Sequence, residues 1–334
     1  MDGNDLSHDD LLARLHALAN DSLKLWDLPA GAQAELLNVS ENATYLVRTS
    51  EGSKTVLRVH REDYHSERAI ECELAWMHAL NVDGCIETPE TIPGRDGKAV
   101  QTAQGAGLQR PRHMVMFEYV PGDQPDEEHD LVHSFEELGE MAAKTHAHAS
   151  AWKRPQPFER LTWDLDAFYG AGATWGNWRD APNLDAGARE VLERVEQTVK
   201  RRLTAFGQGA DRFGLIHADM RLANLLVAEG HTRLIDFDDC GFGWFMYDFA
   251  AGISFIEDKP EIPAMREAWV RGYRKVRELP PEQEQEIDSF VMLRRMALTA
   301  WIASHIDVPE AKAMAPDFAR VSGELGEAYL QRMG

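Results

Sequence analysis

Strand-like alternation of apolar and polar residues is concentrated in the first third of this 334-residue chain, and helical spacing governs most of the remainder. Residues 44–49 and 55–60 alternate around a turn at 50–53, the pattern of a hairpin. Residues 114–120 form a third expected strand, stopped by Pro121 and Gly122. Residues 7–26 have helical spacing with Ser7 as N-cap, and Ser66 caps a second helix with Ile70, Leu74 and Met77 on one face. Residues 93–112 have no apolar periodicity and are expected to be a loop. Beyond Val120, helices are expected at 135–152, 185–206, 263–276, 282–304 and near the C-terminus. Short strands at 213–216, 225–228 and 232–237 interrupt them, and 153–184, rich in Pro, Gly and Trp, is expected to be irregular. A chain divided in this way is expected to be α+β and two-lobed. Residues 1–119 would carry a small antiparallel sheet and a helix, and residues 120–334 would be mostly helical.

Composition narrows the partners. Apolar residues at 44% supply a core, while 35 basic against 56 acidic side chains leave a net charge of −21. Nucleic acid needs a basic footprint that no segment offers, so it is not an expected partner. The most apolar run, residues 244–256, is too short to span a bilayer and contains Asp248, so no membrane is expected either. The acidic first ten residues lack the form of a signal peptide, and Cys72, Cys85 and Cys240 are sparse and unevenly spaced. The cytoplasm is the expected compartment, which makes the two sequons at Asn38 and Asn42 irrelevant as glycan sites.

The chemistry-bearing segment is His217-Ala-Asp219-Met-Arg221-Leu-Ala-Asn224, followed by Asp236-Phe-Asp238-Asp239 after an apolar run. Phosphoryl transfer asks a protein to orient an acceptor hydroxyl and to hold a metal against phosphate oxygens. A carboxylate, an amide five residues on, and a second carboxylate after a strand can do both. Asp219 would accept the hydroxyl proton, and Asn224 and Asp236 would bind Mg²⁺ through hard oxygen ligands.

This pattern resembles the protein-kinase-like superfamily, in particular its aminoglycoside phosphotransferase and choline kinase branch. The likeness covers nearly the whole chain from Ser40 to beyond Asp248. Residues 56–61 and 217–224 look most like the bacterial homoserine-kinase-like and stress-response-kinase groups. The resemblance implies a two-lobed kinase-like fold, with ATP (GTP not excluded) as donor. It implies that Arg221 clamps the γ-phosphate, where protein kinases carry a lysine. It implies that Arg58, in place of the usual lysine, meets phosphate while paired to Glu73, with Glu71 as second choice. Backbone groups of Glu118 and Val120 would bond the adenine edge. No glycine-rich loop is present, and the polar turn holding Ser40 and Asn42 stands where one would cover the phosphates. His217 and Asp248 are expected behind the reacting groups, Asp248 as a brace of the catalytic loop. Asp238 and Asp239 have two readings, contact with a second metal or solvation in a loop.

The acceptor is less constrained. Trp152, Trp163, Trp175 and Trp178 crowd one short segment, and aromatic walls with Asp164, Asp166 or Asp180 would suit an amino alcohol. Packing of that segment is the competing account and the one favoured for most of these rings. The spacing of His146 and His148 sends two imidazoles to different helix faces, which favours packing over a metal pair. Gly170 and Gly172 lack the preceding strand of a dinucleotide site. The expected function is transfer of phosphate from a nucleoside triphosphate to a small hydroxyl-bearing acceptor. A protein Ser/Thr kinase and a non-catalytic nucleotide-binding module are the alternatives.

Overall fold

The computed structural model describes residues 7–39, 42–125, 131–228 and 231–334. Its contacts divide the chain into one unit of Met1–Gly122 with Arg154–Glu159, and another of Asp123–Lys153 with Arg160–Gly334.

The first unit is built on an antiparallel sheet. Its strands are β1 (Gln33–Val39), β2 (Ala43–Arg48), β3 (Lys54–Val59), β4 (Thr91–Ile92), β5 (Val100–Ala103) and β6 (Arg112–Glu118). They run in the order β1-β2-β3-β6-β4, with β5 also paired to β6. Helix α1 (His8–Ser22) begins where Ser7 accepts the Asp10 N–H, and α2 (Glu67–Val82) where Ser66 accepts that of Ala69. Tyr45, Val47, Leu57 and Val59 bury one sheet face with Leu15, Leu18 and Trp26 of the α1 region. The two-residue period of β3 turns Arg58 to the opposite face, where α2 brings Glu73. The segment returning at residues 154–159 is held by α2, with Ser66 donating to Glu159 and Arg68 to the Pro157 carbonyl.

The expected loop at 93–112 contains β5, a correction. Gly97, at φ 82°, closes a turn onto the Gly94 carbonyl, and Val100 and Gln101 are then buried beside β6. A four-residue strand with one apolar anchor carries too little periodicity to read, although the Asp96-Gly97 pair marks the reversal.

The second unit contains α3 (Leu131–Ala151), β7 (Leu161–Trp163), α4 (Leu165–Tyr169), α5 (Ala186–Phe206), β8 (Phe213–Ile216), β9 (Leu225–Ala228), β10 (His231–Leu234) and β11 (Gly241–Trp244). It continues with α6 (Tyr247–Gly252), α7 (Ile262–Arg274), α8 (Pro281–Gln285), α9 (Ile287–Ser304), α10 (Pro309–Met314) and α11 (Phe318–Met333). Two small sheets, β7-β11-β8 and β9-β10, lie among these helices. Helices α3 and α7 cross at backbone contact: a Cβ on Gly139 would sit 2.0 Å from the Trp269 carbonyl oxygen, and one on Gly272 1.9 Å from that of Glu136. Only glycine tolerates such an approach. Helix α9 is buried nearly all round, yet it carries Arg294 and Arg295. The expected α+β class, an antiparallel sheet first and helices after, is the one found. Among the described residues no helix is long and apolar enough to cross a membrane.

Candidate active site

Strand β8 delivers the chain into a tight turn at 217–221. Ala218 has φ 67°, a left-handed conformation that costs a non-glycine residue roughly 1–2 kcal/mol. Buried Asp248 at the start of α6 offsets it by accepting the N–H of Ala218 at 2.7 Å and of His217 at 3.2 Å. His146 of α3 meets the same carboxylate at 2.8 Å through Nε2, and its Nδ1 lies 3.1 Å from the Tyr273 hydroxyl. Asp248 thus sits where a brace of the loop is expected. His146, set aside as a metal ligand, is the group that holds the brace.

Asp219 is the part-open end of this turn. Its Oδ1 accepts from Arg294 at 3.0 Å and its Oδ2 from the Asn224 amide at 2.9 Å, with Arg221 Nε 3.3 Å from Oδ2. Burial pushes its pKa up, but the charges of Arg221 and Arg294 and the Asn224 hydrogen bond prevail, and it lies below the ordinary value. The carboxylate is therefore ionised. Each oxygen keeps a further lone pair for an incoming hydroxyl.

Asn224 links this carboxylate to the second one. Its amide nitrogen also donates to the Asp219 carbonyl, while its backbone carbonyl accepts the Ile235 N–H at 2.9 Å. His217 closes the link from the other side, with Nε2 3.2 Å from the Ile235 carbonyl and Nδ1 accepting the Asp219 N–H at 3.3 Å. Those bonds place the proton on Nε2. Asp236 follows at once, exposed and at φ 61°. Behind it, Arg160 donates to the Asp238 and Cys240 carbonyls, and Trp163 Nε1 donates to the Asp239 carbonyl at 2.8 Å. The turn that presents Asp236 is thus fixed through its backbone, and the Asp238 side chain is buried.

The residues fit a hard divalent cation. Asn224 spends its side-chain nitrogen on Asp219, which leaves the amide oxygen as the ligand atom, and Asp236 is exposed. Among the described residues no group of three His, Cys, Asp or Glu side chains gathers around one point. Mg²⁺ asks for no such cage, since it takes one or two carboxylates plus waters and substrate phosphates.

In the first unit, Arg58 donates to Glu73 Oε1 at 2.6 Å and to His60 Nε2 at 3.3 Å, while Glu71 pairs with Arg68 instead. Glu118 ends β6, and its N–H is taken by the Glu90 carbonyl at 2.9 Å, so only its own carbonyl remains a candidate for a base edge. Val120 lies just past the strand, half-buried. Asn42 accepts the Arg61 N–H at 2.9 Å, which ties it to the end of β3. Ser40 lies outside the described residues.

Three of the four tryptophans, Trp163, Trp175 and Trp178, are buried. Trp163 stacks with Phe168 and Tyr247, Trp178 carries the Arg179 guanidinium and donates to Glu196, and Trp175 faces that of Arg294. Asp164 caps α4. Arg294, Tyr247, Arg160 and His146 are the site residues that spacing did not identify. Two adjacent arginines inside an otherwise apolar helix were the available signal for Arg294, because buried charge needs a partner.

Comparison with known proteins bears on the family and the fold. Amicoumacin kinase of Bacillus subtilis (strain 168) is 24% identical over 306 residues, covering 86% of both chains. The solved structure of a microcompartment-associated aminopropanol kinase is 44% identical, covers 95% of this chain and 98% of its own, and superposes with a TM-score of 0.88. An amicoumacin kinase solved with AMP-PNP, Ca²⁺ and Ami is 22% identical over 95% of this chain and 96% of its own, with a TM-score of 0.76, a likeness of fold. The family model of the APH phosphotransferase enzymes matches residues 32–284. Together with the kinase-like fold, that match establishes that this chain is a member of the APH phosphotransferase enzyme family.

Proposed function

We propose that this phosphotransferase moves the γ-phosphate of ATP to the hydroxyl of a small alcohol that carries a primary amine, with Mg²⁺ as the metal. The observation that carries the reaction is the pinning of Asp219 between Arg294 and Asn224, with Asn224 bonded in turn to the residue before Asp236. The acceptor class rests on the 44% identity to an aminopropanol kinase over nearly both full lengths.

Asp219 orients the acceptor hydroxyl and takes its proton as the phosphoryl group transfers. A carboxylate below its ordinary pKa is a weak base, which suits a loose transition state in which the nucleophile needs little prior deprotonation. Asn224 Oδ1 and Asp236 would hold Mg²⁺, whose charge neutralises phosphate oxygens. Arg221 contacts the γ-phosphate, and its guanidinium fork matches phosphate geometry. Arg58, steadied by Glu73, meets the inner phosphates, with Ser40 and Asn42 as further phosphate contacts. The Glu118 carbonyl and Val120 N–H bond the adenine edge. Asp248, His217 and Asp238 hold the turns. The sparse cysteines and the need for ATP suit the cytoplasm.

ADP release with Mg²⁺ and ATP, measured over amino alcohols with a primary amine, choline, sugars, aminoglycosides and a Ser/Thr peptide, tests the reading. The highest kcat/KM belongs to one of the primary amines. Choline gains nothing, because Arg294 already occupies the Trp175 face that would favour a quaternary ammonium. A peptide or sugar as best substrate contradicts the acceptor class, and turnover without divalent metal contradicts the metal.

A further inference from the structure

Helix α9 sends one guanidinium into the site from far along the chain, and every nitrogen of it is engaged. Arg294 Nε donates to Ser254 Oγ at 2.9 Å, Nη1 to the Tyr247 hydroxyl at 3.1 Å and Nη2 to Asp219 Oδ1 at 3.0 Å. The guanidinium carbon lies 4.9 Å from the Trp175 ring centre and 5.8 Å from that of Tyr247. The side chain is 4% exposed, against 17% for Asp219. Three of its five N–H donors are thus committed to protein groups, one on each nitrogen. A surface ion pair would be a poor argument for function, but this pair is buried on the cation's side and open on the carboxylate's.

We infer that Arg294 is a positioning residue: locked by Ser254, Tyr247 and Trp175, it fixes the rotamer of Asp219 so that one carboxylate oxygen faces the acceptor hydroxyl. The inference rests on Asp219 being the base. Three anchors fix the guanidinium plane, and that plane sets the direction from which Oδ1 is held. Asn224 holds Oδ2 from the catalytic loop itself, so the carboxylate is gripped from two elements distant in sequence. Misplacing a reacting group by about 1 Å costs on the order of 10²-fold in rate, and preventing that misplacement is the effect assigned to Arg294. A purely structural arginine would lower stability, and would lower kcat by a factor indifferent to what stands at position 219.

Asp219→Asn, Arg294→Met, Arg294→Lys and the Asn/Met double variant are compared with the unaltered protein. The readouts are kcat, KM for ATP, KM for the best acceptor of the amino-alcohol panel, and thermal midpoint. Arg294→Met is expected to lose about 10²-fold in kcat with KM for ATP within about twofold, and Arg294→Lys to recover roughly tenfold of that loss. The double variant is expected within about threefold of Asp219→Asn alone, because an arginine that acts through Asp219 has nothing left to position. Losses that multiply, or an Arg294→Met kcat within about threefold of the unaltered protein, overturn the inference. Should Arg294→Met fail to fold, Tyr247→Phe decides. A several-fold loss of kcat that vanishes in the Asp219→Asn background supports the inference, and an equal loss in both backgrounds overturns it. Asp219→Asn with full kcat overturns the base assignment itself. An inactive Asp219→Asn beside an unaffected Arg294→Met overturns only the role of Arg294.

Discussion

Arg58–Glu73 in the first unit and Arg294–Asp219 in the second are both buried ion pairs, yet they are mounted in opposite senses. In the first, Glu73 is fully buried and Arg58 is the more open partner, at 0% and 7% side-chain exposure. In the second the arginine is the deep partner and the carboxylate the open one. Both members of the first pair are thus buried, the cation only slightly less so, whereas the second pair presents its carboxylate, an anion suited to a hydroxyl. The supports differ as well. Arg58 rests on one strand, one helix and the Phe117 ring, 5.2 Å away. Asp219 rests on a turn held by Asp248 and His146 and on a helix more than seventy residues later. Damage to the first pair should therefore read out in nucleotide affinity, and damage around the second in turnover.

The largest break is expected at the metal. Asp236→Ala should lower kcat by about 10³-fold or more, measured at saturating ATP over a Mg²⁺ titration, because the loss is of transition-state charge neutralisation. Full activity at raised Mg²⁺ would reduce Asp236 to an affinity determinant. Next comes Asp248→Ala, which strands two backbone N–H groups and removes the support of the Ala218 turn. Denaturant unfolding should show a loss of about 3–5 kcal/mol, as for breaking a buried charged network. Arg58→Met should raise KM for ATP by roughly tenfold with kcat within a few-fold, so a loss confined to kcat would dissolve the contrast between the two pairs.

The smallest effect is a pH slope. Burial holds the pKa of His146 below the ordinary 6.5, with Asp248 pulling it up and Arg277 pushing it further down. The unfolded chain thus binds a proton that the folded one resists. This component of stability is complete above about pH 6.5 and declines as pH falls from there through the folded value. His146→Gln removes it, so unfolding free energy should fall less steeply with acidification below about pH 6.5 than in the unaltered protein. An unchanged slope would mean that His146 is not held neutral.

What the sequence disclosed was local. The hairpin, the Ser7 and Ser66 caps and the spacing of Asp219, Asn224 and Asp236 are written within short windows, where propensity and period suffice. Among the short strands, β8 and β9 flank the motif and were legible, whereas β5, β7 and β11 become strands only when a partner arrives from elsewhere. The same holds in the site. Glu73 was expected from the family resemblance, on the helix that follows the strand of Arg58, whereas Arg294 and His146 reach Asp219 and Asp248 only through tertiary packing of α9 and α3. The tryptophans show the converse: their clustering was visible, but the cation on Trp175 is the protein's own.

The most direct test is the kcat of Asp219→Asn with ATP, Mg²⁺ and the best acceptor of the amino-alcohol panel, set beside its KM for ATP and its thermal midpoint. The amide keeps the shape and the Arg294 contact through Oδ1 but cannot take a proton. The account predicts a kcat lower by about 10³-fold or more with ATP binding and stability little changed. A variant that retains a tenth or more of the original turnover would contradict it.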